Sequence, residues 1–348
     1  MANPIRMALV GLGRAGIGMH LPELEGRSGK FHIVAVCEPF AERREEWAEK
    51  LSAKPYTDIE ELVRDPDVEL VDIATRSVDH YAHTKAALLA GKTVFLEKPF
   101  GISAEEAEEL TELGTRPGGP RLYVRHNRRF EDGFEQVNRI IDSGILGSVY
   151  EIRLARNKYD RRHDWQTLQS LGGGQLLNWG PHLIDHALQF CGGSCRTFYS
   201  GLHQVVASGD CEDHVKLVFT GVNGRIVDVE ISGGCAVPVP EYTVYGTRGA
   251  LVSAEDGFHV KYLPADRELA ALQSSDALTD TKEYKGTGEV LSWTETVIPY
   301  ENYGGCSRIW DALYETLREG KPFPITPQQA LEVMRVISKA REGGIFTD

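Results

Sequence analysis

The stretch that decides the fold lies near the start of the chain and reads Ile5-Arg6-Met7-Ala8-Leu9-Val10, then Gly11-Leu12-Gly13-Arg14-Ala15-Gly16. A short apolar run that ends at a glycine predicts a buried strand, and the glycines fit the spacing G-x-G-x-x-G. One glycine makes the tight turn, one lets the backbone approach a pyrophosphate, and one lets helix and strand pack closely. The next helix offers unpaired N–H groups to the phosphates. We therefore predict a dinucleotide site formed by residues 11 and 13–16, rather than a glycine-rich turn without a ligand.

An acidic residue follows the second predicted strand, Ile33–Cys37. The Glu38 carboxylate at this position accepts hydrogen bonds from ribose hydroxyls and repels a 2′-phosphate, which predicts NAD as the cofactor and makes NADP the less favoured alternative. Arg43 and Arg44 lie close by and would weaken that preference, although they also fit the charged face of a helix.

Strand and helix patterns alternate through the first third of the chain, which predicts βαβ units and a parallel sheet. The predicted strands are Ile5–Val10, Ile33–Cys37, Leu70–Ala74 and Thr93–Leu96, and the predicted helices are Ala41–Leu51, Tyr81–Ala90 and Ala104–Leu113. The Gly- and Pro-rich stretch 114–120 is the predicted linker. We expect a dinucleotide-binding Rossmann domain over residues 1–121.

The pattern changes after the linker, where strands follow one another with few helices between them. The predicted helices are Phe130–Ser143, Leu176–Phe190 and Ala330–Ala340, and the predicted strands are Val149–Ala155, Val215–Thr220, Arg225–Ser232, Tyr242–Gly246 and Phe258–Tyr262. Residues 263–300 are polar and receive no assignment. This order predicts an α+β domain with a mainly antiparallel sheet over residues 122–348, which binds substrate and forms oligomers.

Composition restricts the class of protein. The net charge of −13 argues against a nucleic-acid or anionic-membrane partner, because phosphates select clustered Lys and Arg. No apolar run reaches membrane-spanning length, and the N-terminus enters a strand-like segment without a leader pattern. The six cysteines form no CxxC pair, which favours reduced thiols, although a disulfide between Cys191 and Cys195 stays open. We therefore expect a cytoplasmic protein.

A lysine closes the fourth predicted strand in the sequence Glu97-Lys98-Pro99. Ligands of open α/β sheets bind at the carboxyl ends of the strands. Beside a nicotinamide, the Lys98 ammonium can hold a substrate oxygen and share its proton. The alternative is a surface lysine ahead of a proline-initiated loop.

A glycine-rich segment in the second half carries polar side chains at helical spacing. Asn178, His182 and Asp185 lie at i, i+4 and i+7, on one face of a helix. Histidine titrates near neutral pH, so His182 can accept the proton of a hydroxyl whose carbon loses hydride. A zinc site of His182, Asp185 and His186 is an alternative, but no Cys or Glu is spaced to complete it, so we predict no metal.

The loop Tyr159–Trp165 (YDRRHDW) precedes these glycines and combines aromatic and charged side chains. An aromatic ring stacks on a sugar face and a carboxylate binds hydroxyls, so Asp164 and Trp165 are predicted to contact substrate. An exposed charged loop without a ligand fits the same residues.

Six motifs, in order along the chain, resemble those of the Gfo/Idh/MocA family, which includes glucose–fructose oxidoreductase and inositol 2-dehydrogenase. They are GLGRAG at 11–16, VCEP at 36–39, ATRSVDH at 74–80, EKPFG at 97–101, HNRRF at 126–130 and GGGQLLNWGPHLIDH at 172–186. The resemblance implies a Rossmann domain and a second domain with an open sheet, whose exposed face forms a homodimer or homotetramer. It implies that Lys98 and His182 handle the proton, and that the Lys98–Pro99 bond is cis.

The resemblance also extends the list of site residues. It implies that the cofactor site includes Thr75, Arg76, His80, Glu97, Lys98 and Asn127. It implies that substrate contacts Lys98, Asp164, Trp165, Asn178, His182 and Asp185. One departure stands out, because Asn178 occupies the position where the family usually has Asp, and an amide accepts no proton at ordinary pH.

The expected function is reversible hydride transfer between a nicotinamide and a CH–OH carbon of a sugar, polyol, inositol or glycoside, with Lys98, His182 and Asn178 as catalytic residues. One alternative uses the same site for transient oxidation within a redox-neutral conversion. The other is a non-catalytic, NAD-responsive binding or regulatory protein, because a fold does not fix a function.

Overall fold

A computed structural model of the chain describes residues 3–272 and 289–347. Its first sheet has six parallel strands in the order β3-β2-β1-β4-β5-β6. The strands are β1 (Ile5–Val10), β2 (Phe31–Cys37), β3 (Lys54–Tyr56), β4 (Leu70–Ile73), β5 (Thr93–Glu97) and β6 (Leu122–Arg125). The strand order reverses between β1 and β4, and a ligand crevice forms at such a point.

Helices cover both faces of this sheet, as parallel strands require. A π-helical turn (Gly16–His20) runs into α1 (Leu21–Leu24), and the other helices are α2 (Ala41–Leu51), α3 (Ile59–Leu62), α4 (His80–Leu89) and α5 (Ala104–Gly114). Ser103 caps α5, because its side chain accepts a hydrogen bond from the Glu106 N–H.

The second sheet has nine strands in the order β14-β13-β12-β11-β7-β10-β9-β8-β15. They are β7 (Val149–Asn157), β8 (Cys195–His203), β9 (His214–Gly221), β10 (Ile226–Ser232), β11 (Tyr242–Gly246), β12 (Gly249–Ala254), β13 (Gly257–Tyr262), β14 (Thr294–Ile298) and β15 (Gly344–Thr347). Neighbouring strands are antiparallel except β7 and β10. Together the two sheets confirm the predicted fold class.

Five helices belong to the later part of the chain: α6 (Asp132–Asp142), α7 (Gln175–Asn178), α8 (Gly180–Phe190), α9 (Arg308–Glu319) and α10 (Pro327–Glu342). Helix α8 packs on β7, β9 and β10, and α10 packs against both α5 and α8. One cluster of buried apolar side chains continues from the first sheet into the second. Among the described residues, no helix is long and apolar enough to span a bilayer.

Several elements differ from the sequence-based assignment. The elements that were not predicted are the strands β3, β6, β8, β12, β14 and β15 and the helices α1, α3 and α9. Most of these strands are short, and the apolar residues of β3, β6, β8 and β14 are mixed with charged residues. Strand β6 begins just after the linker, at the first residue assigned to the second domain, yet it pairs with β5. Trp310 of α9 packs on Phe31 and Phe95 of the first sheet. The division at residue 121 stays a prediction. The unassigned stretch 263–300 contains β14, and its residues 273–288 lie outside the described part.

Candidate active site

The glycine loop after β1 is shaped by close backbone contacts. A Cβ atom on Gly11, whose φ is +93°, would lie 2.7 Å from the Ala74 carbonyl oxygen, and one on Gly16 would lie 2.2 Å from the Gly11 carbonyl oxygen. A Cβ on Gly13 would meet nothing within 4 Å. Gly11 and Gly16 therefore serve the turn and the helix packing, whereas Gly13 leaves open the space that a pyrophosphate needs. Of the other predicted residues of this loop, Arg14 is exposed and Ala15 is half-buried.

Glu38 lies at the carboxyl end of β2, beside this loop. Its carboxylate accepts hydrogen bonds from the backbone N–H groups of Leu12 at 3.1 Å and Phe40 at 3.3 Å. The Arg43 guanidinium lies 3.7 Å from the same carboxylate, and Arg44 donates to the Glu38 carbonyl oxygen at 3.0 Å. The loop and the acid thus adjoin, as an adenosine ribose and its pyrophosphate require.

His80 connects the loops that follow β4 and β5. Its Nδ1 lies 2.8 Å from the Pro99 carbonyl oxygen and its Nε2 lies 3.2 Å from that of Thr75. Burial lowers the pKa of His80, so a neutral ring donates one of these bonds. His80 therefore holds backbone around the predicted cofactor site, and its direct contact with the cofactor stays a prediction. Arg76 beside it is exposed.

Lys98 directly follows β5, and its peptide bond to Pro99 is cis. Lys98 Nζ donates a hydrogen bond of 3.1 Å to the backbone carbonyl oxygen of Asn178. Burial, with Arg125, Arg128 and Arg14 nearby, lowers the pKa of Lys98, and the Glu97 carboxylate opposes that effect. The ammonium is therefore easier to deprotonate than a surface lysine, as a proton-sharing group needs to be.

His182 is buried on α8. Its Nδ1 has no hydrogen-bond partner among the described residues, and Trp179 contacts its ring edge-on at 5.8 Å between centroids. Burial, followed by the positive charges of Lys98 and Arg128, lowers the pKa of His182 well below its ordinary value. His182 is therefore neutral at physiological pH, which is the state that accepts a proton.

The predicted helix over residues 176–190 is divided at Trp179 into α7 and α8. Pro181 has no N–H to bond back to the preceding turn, so the helix restarts there. Asn178 and His182 remain one turn apart. The Asn178 side-chain oxygen lies 3.4 Å from Gln166 Nε2.

Asp185 points toward a cation rather than into open space. Its two oxygens accept hydrogen bonds from Arg129 at 2.6 and 2.7 Å. His186 Nε2 lies 2.9 Å from the Arg128 carbonyl oxygen. In the part of the chain that the structure describes, no three His, Cys, Asp or Glu side chains are grouped to hold a metal, so the zinc alternative has no geometric support. The role of Asp185 toward substrate stays a prediction.

The YDRRHDW loop lies at the rim. Asp164 accepts hydrogen bonds from the Gln166 N–H at 3.0 Å and from Arg162 at 2.9 Å, and Trp165 is half-buried. A small polar cavity adjoins Asn178 and is lined also by Asp160, Arg162, Gln166, Thr167, Gly174, Gln175, Ala207, Cys211, Glu212 and Asp213. Of the predicted substrate residues only Asn178 lines that cavity, and the substrate roles of Asp164 and Trp165 stay predictions.

Sequence reasoning assigned no role to His126, which follows β6 beside Lys98. Both ring nitrogens of His126 are buried and have no partner among the described residues. Burial lowers its pKa, and the neighbouring charges include Asp185 and Lys98. The sequence could have indicated His126 only through its position in the motif HNRRF, directly before the buried Asn127.

Comparison with known proteins gives the family. Residues 5–126 match the profile described as "Oxidoreductase family, NAD-binding Rossmann fold", and residues 134–252 match the GFO/IDH/MocA C-terminal domain. The chain is 27% identical over 354 residues to scyllo-inositol 2-dehydrogenase (NADP(+)) IolW of Bacillus subtilis (strain 168), covering 98% of this chain and 94% of that protein. It is 31% identical over 268 residues to the uncharacterized oxidoreductase C26H5.09c of Schizosaccharomyces pombe (strain 972 / ATCC 24843), covering 72% and 70%. The solved structure of the putative oxidoreductase yvaA from Bacillus subtilis shares the fold, with a TM-score of 0.83 at 21% identity and coverage of 100% and 99%.

Proposed function

Because the chain belongs to the Gfo/Idh/MocA family of oxidoreductases, we propose that it is an NAD-dependent dehydrogenase of a polyol or sugar CH–OH group. The proposal rests mainly on the hydrogen bond from Lys98 Nζ to the backbone carbonyl oxygen of Asn178. Neutral His182 lies one helical turn after Asn178. A relative named for an inositol substrate supports the polyol class.

The proposed chemistry divides the work between cofactor and protein. A bound nicotinamide supplies the hydride acceptor at C4. Lys98 Nζ holds the substrate oxygen, and a ring nitrogen of His182 takes the hydroxyl proton as the carbon is oxidised. Asn178 orients a neighbouring hydroxyl through its amide and exchanges no proton.

The residues fit a dinucleotide, since Gly13 faces open space and Glu38 adjoins the loop. We propose NAD as the cofactor because the Glu38 carboxylate would repel a 2′-phosphate. The named preference of the relative IolW is NADP(+), and Arg43 offers a cation beside Glu38, so the choice depends on these two side chains.

The proposed partners are a small carbohydrate and further copies of the same chain, in the cytoplasm. Buried and half-buried side chains alternate along β9, so one face of the second sheet packs on helices and the other is open. Exposed side chains on its strands include Tyr150, Tyr199, Ile226 and Val297. They support a homodimer or homotetramer through this sheet, which light scattering after gel filtration would measure.

A substrate panel tests the proposed reaction. Sugars, inositols, linear polyols and glycosides are incubated with NAD or NADP, and reduced cofactor is followed by its absorbance. Turnover of an inositol or a related polyol by wild-type protein, and its loss in Lys98→Ala, is expected. If no member is oxidised, and cofactor stays bound through gel filtration while a glycoside is consumed, the redox-neutral alternative takes its place. Cofactor binding without any turnover would favour the regulatory alternative.

A further inference from the structure

A fully buried set of charged side chains lies against Lys98, on the sheet side of the site. Glu97 on β5 forms an ion pair with Arg125 on β6, and the two residues are register partners in the sheet. His20 contacts β4 and β5, with Nδ1 2.7 Å from Asp72 on β4 and Nε2 3.4 Å from Glu97 on β5. The side chains of His20, Asp72 and Arg125 have no solvent exposure.

The network continues into helix α9. Arg125 also pairs with Glu23 of α1, and Trp310 Nε1 donates to the same Glu23 carboxylate at 2.8 Å. Side chains from β4, β5, β6, α1 and α9 therefore meet at the carboxyl edge of the sheet. A network of this kind has one low-energy arrangement, because each displaced member would leave a buried charge unpaired.

The charges nearly balance within the network. Burial lowers the pKa of His20, but the Asp72 charge and the hydrogen bonds to Asp72 and Glu97 outweigh burial and raise it. Arg125 and His20 outweigh the effect of burial on Glu97 and hold its pKa well below the ordinary range. The carboxylates of Glu23, Asp72 and Glu97 thus face the Arg125 guanidinium and the His20 ring, whose raised pKa favours its charged form. Lys98 is the next residue after Glu97 in the chain.

Lys98 receives charge effects from several elements. Burial and three arginines favour loss of its proton, and Glu97 opposes that loss. The charged and titratable groups around Lys98 are Arg14, His80, Glu97, Arg125, His126, Arg128 and His182. Among these groups Glu97 carries a carboxylate, and its ion pair with Arg125 fixes the position of that negative charge.

We propose that Arg125 and His20 are positioning residues for Lys98: they pin the Glu97 carboxylate in the interior, and so fix the direction and the charge of the lysine that follows it. The role assigned to Lys98 rests on the proposed function, but its protonation does not. Glu97 directly precedes this lysine and faces Arg125 and His20, and its predicted contact with the cofactor stays a prediction.

The first experiment needs no substrate. The full chain, prepared with ¹³C-labelled lysine, is titrated by NMR, and the Lys98 signal is identified by its absence in Lys98→Met. In Glu97→Gln the Lys98 midpoint is expected to fall by about one pH unit or more, a tenfold loss of proton affinity, because a nearby anion is removed. In Arg125→Gln the midpoint is expected to rise, because a nearby cation is removed.

Opposite shifts separate electrostatic positioning from general damage, which would move both variants in the same direction. Each single variant keeps one contact, since Arg125 retains Glu23 and Glu97 retains His20. The double variant Glu97→Gln with Arg125→Gln should return the midpoint toward wild type. Glu69→Gln with Arg318→Gln is the matched control, because that ion pair also joins β4's edge to α9, at 3.2 Å, and should leave Lys98 unchanged. Equal midpoints in wild type and either single variant would overturn the proposal.

The second experiment separates this proposal from the proposed function. Arg125→Lys keeps the charge but loses the two-pronged contact, so turnover is expected to fall about tenfold while the Lys98 midpoint stays in place. A normal turnover in Arg125→Lys would argue against positioning even in an active dehydrogenase. Conversely, the expected NMR shifts in a protein without turnover would support the network and reject the dehydrogenase.

Discussion

Lys98 Nζ lies 3.1 Å from the backbone carbonyl oxygen of Asn178, across 80 residues of sequence. This bond joins the end of β5 in the first sheet to α7, which lies between β7 and β8 of the second sheet in the chain. Because the contact uses the backbone of Asn178, it does not depend on which side chain residue 178 carries. The contact of the Asn178 side chain with substrate stays a prediction.

Replacement of Lys98 tests its place in catalysis. We expect Lys98→Ala to lower turnover about 100-fold or more, the scale of a lost proton-handling group, with a smaller change in NAD affinity. Initial rates on the substrate found by the panel and fluorescence titration of NADH measure the two effects. Lys85→Ala, which removes a half-buried lysine paired with Glu109, is the control. Near-normal turnover in Lys98→Ala would remove this residue from the mechanism.

The pH profile of alcohol oxidation reports the state of His182. A general base must be neutral, and burial lowers the pKa of His182 well below 6.5. The rate is therefore expected to be flat through neutral pH and to fall only at acidic pH, below the range of an exposed histidine. His182→Ala should lower the rate and remove this acidic limb. A limb that persists in kcat/KM of His182→Ala would identify another base, with Lys98 or His126 to be tested next.

Substitution at Asn178 separates orientation from proton transfer. Asn178→Ala should lower activity without moving the limb, because an amide has no proton to exchange in this range. Asn178→Asp adds a carboxylate near His182, which raises the histidine pKa and moves the limb to higher pH. A deuterated substrate establishes that hydride transfer limits the rate. Identical limbs in wild type and Asn178→Asp would place the residue 178 side chain away from His182.

Cofactor choice is tested at Glu38 and Arg43. Wild type is expected to bind NAD about tenfold or more tightly than NADP, and Glu38→Ala should reduce that ratio, because the repulsive carboxylate is gone. Arg43→Ala should weaken NADP binding further and change NAD binding little. Calorimetry gives the dissociation constants of NAD and NADP for wild type, Glu38→Ala and Arg43→Ala, and their ratios test the cofactor preference. Tighter binding of NADP than NAD by wild type contradicts the proposal.

The glycine loop offers a matched pair of substitutions. Gly13→Ala adds a methyl group where nothing lies within 4 Å, so the free energy of unfolding should change by less than about 1 kcal/mol. NAD affinity should nevertheless fall about tenfold or more, because the methyl group occupies the space for the pyrophosphate. Gly16→Ala places a methyl carbon 2.2 Å from the Gly11 carbonyl oxygen and should destabilise the fold by about 1–3 kcal/mol or more. Denaturant unfolding of both variants measures the change in stability, and titration with NADH measures the change in cofactor affinity. Unchanged cofactor binding in Gly13→Ala would place the cofactor elsewhere.

The sequence by itself determined the features that depend on near neighbours. The glycine loop after an apolar strand and the acid at the end of the second strand both follow from local sequence pattern. Strand and helix patterns that alternate predicted the parallel sheet, and strands that follow one another with few helices between them predicted the mainly antiparallel sheet. Short strands such as β6 were not predicted, because β6 is stabilised by its pairing with β5 and its sequence has no clear strand pattern.

Only the tertiary structure decided how the side chains of the site are used. Asp185 shares a helix face with His182 in the sequence pattern, but Arg129, 56 residues earlier, takes its carboxylate. Glu97 adjoins Lys98, yet its partners Arg125 and His20 come from two other elements. The low pKa of His182 follows from burial and from charges brought by distant segments. Burial and long-range ion pairs depend on which segments come together in the fold, and residue spacing along the chain does not determine those contacts.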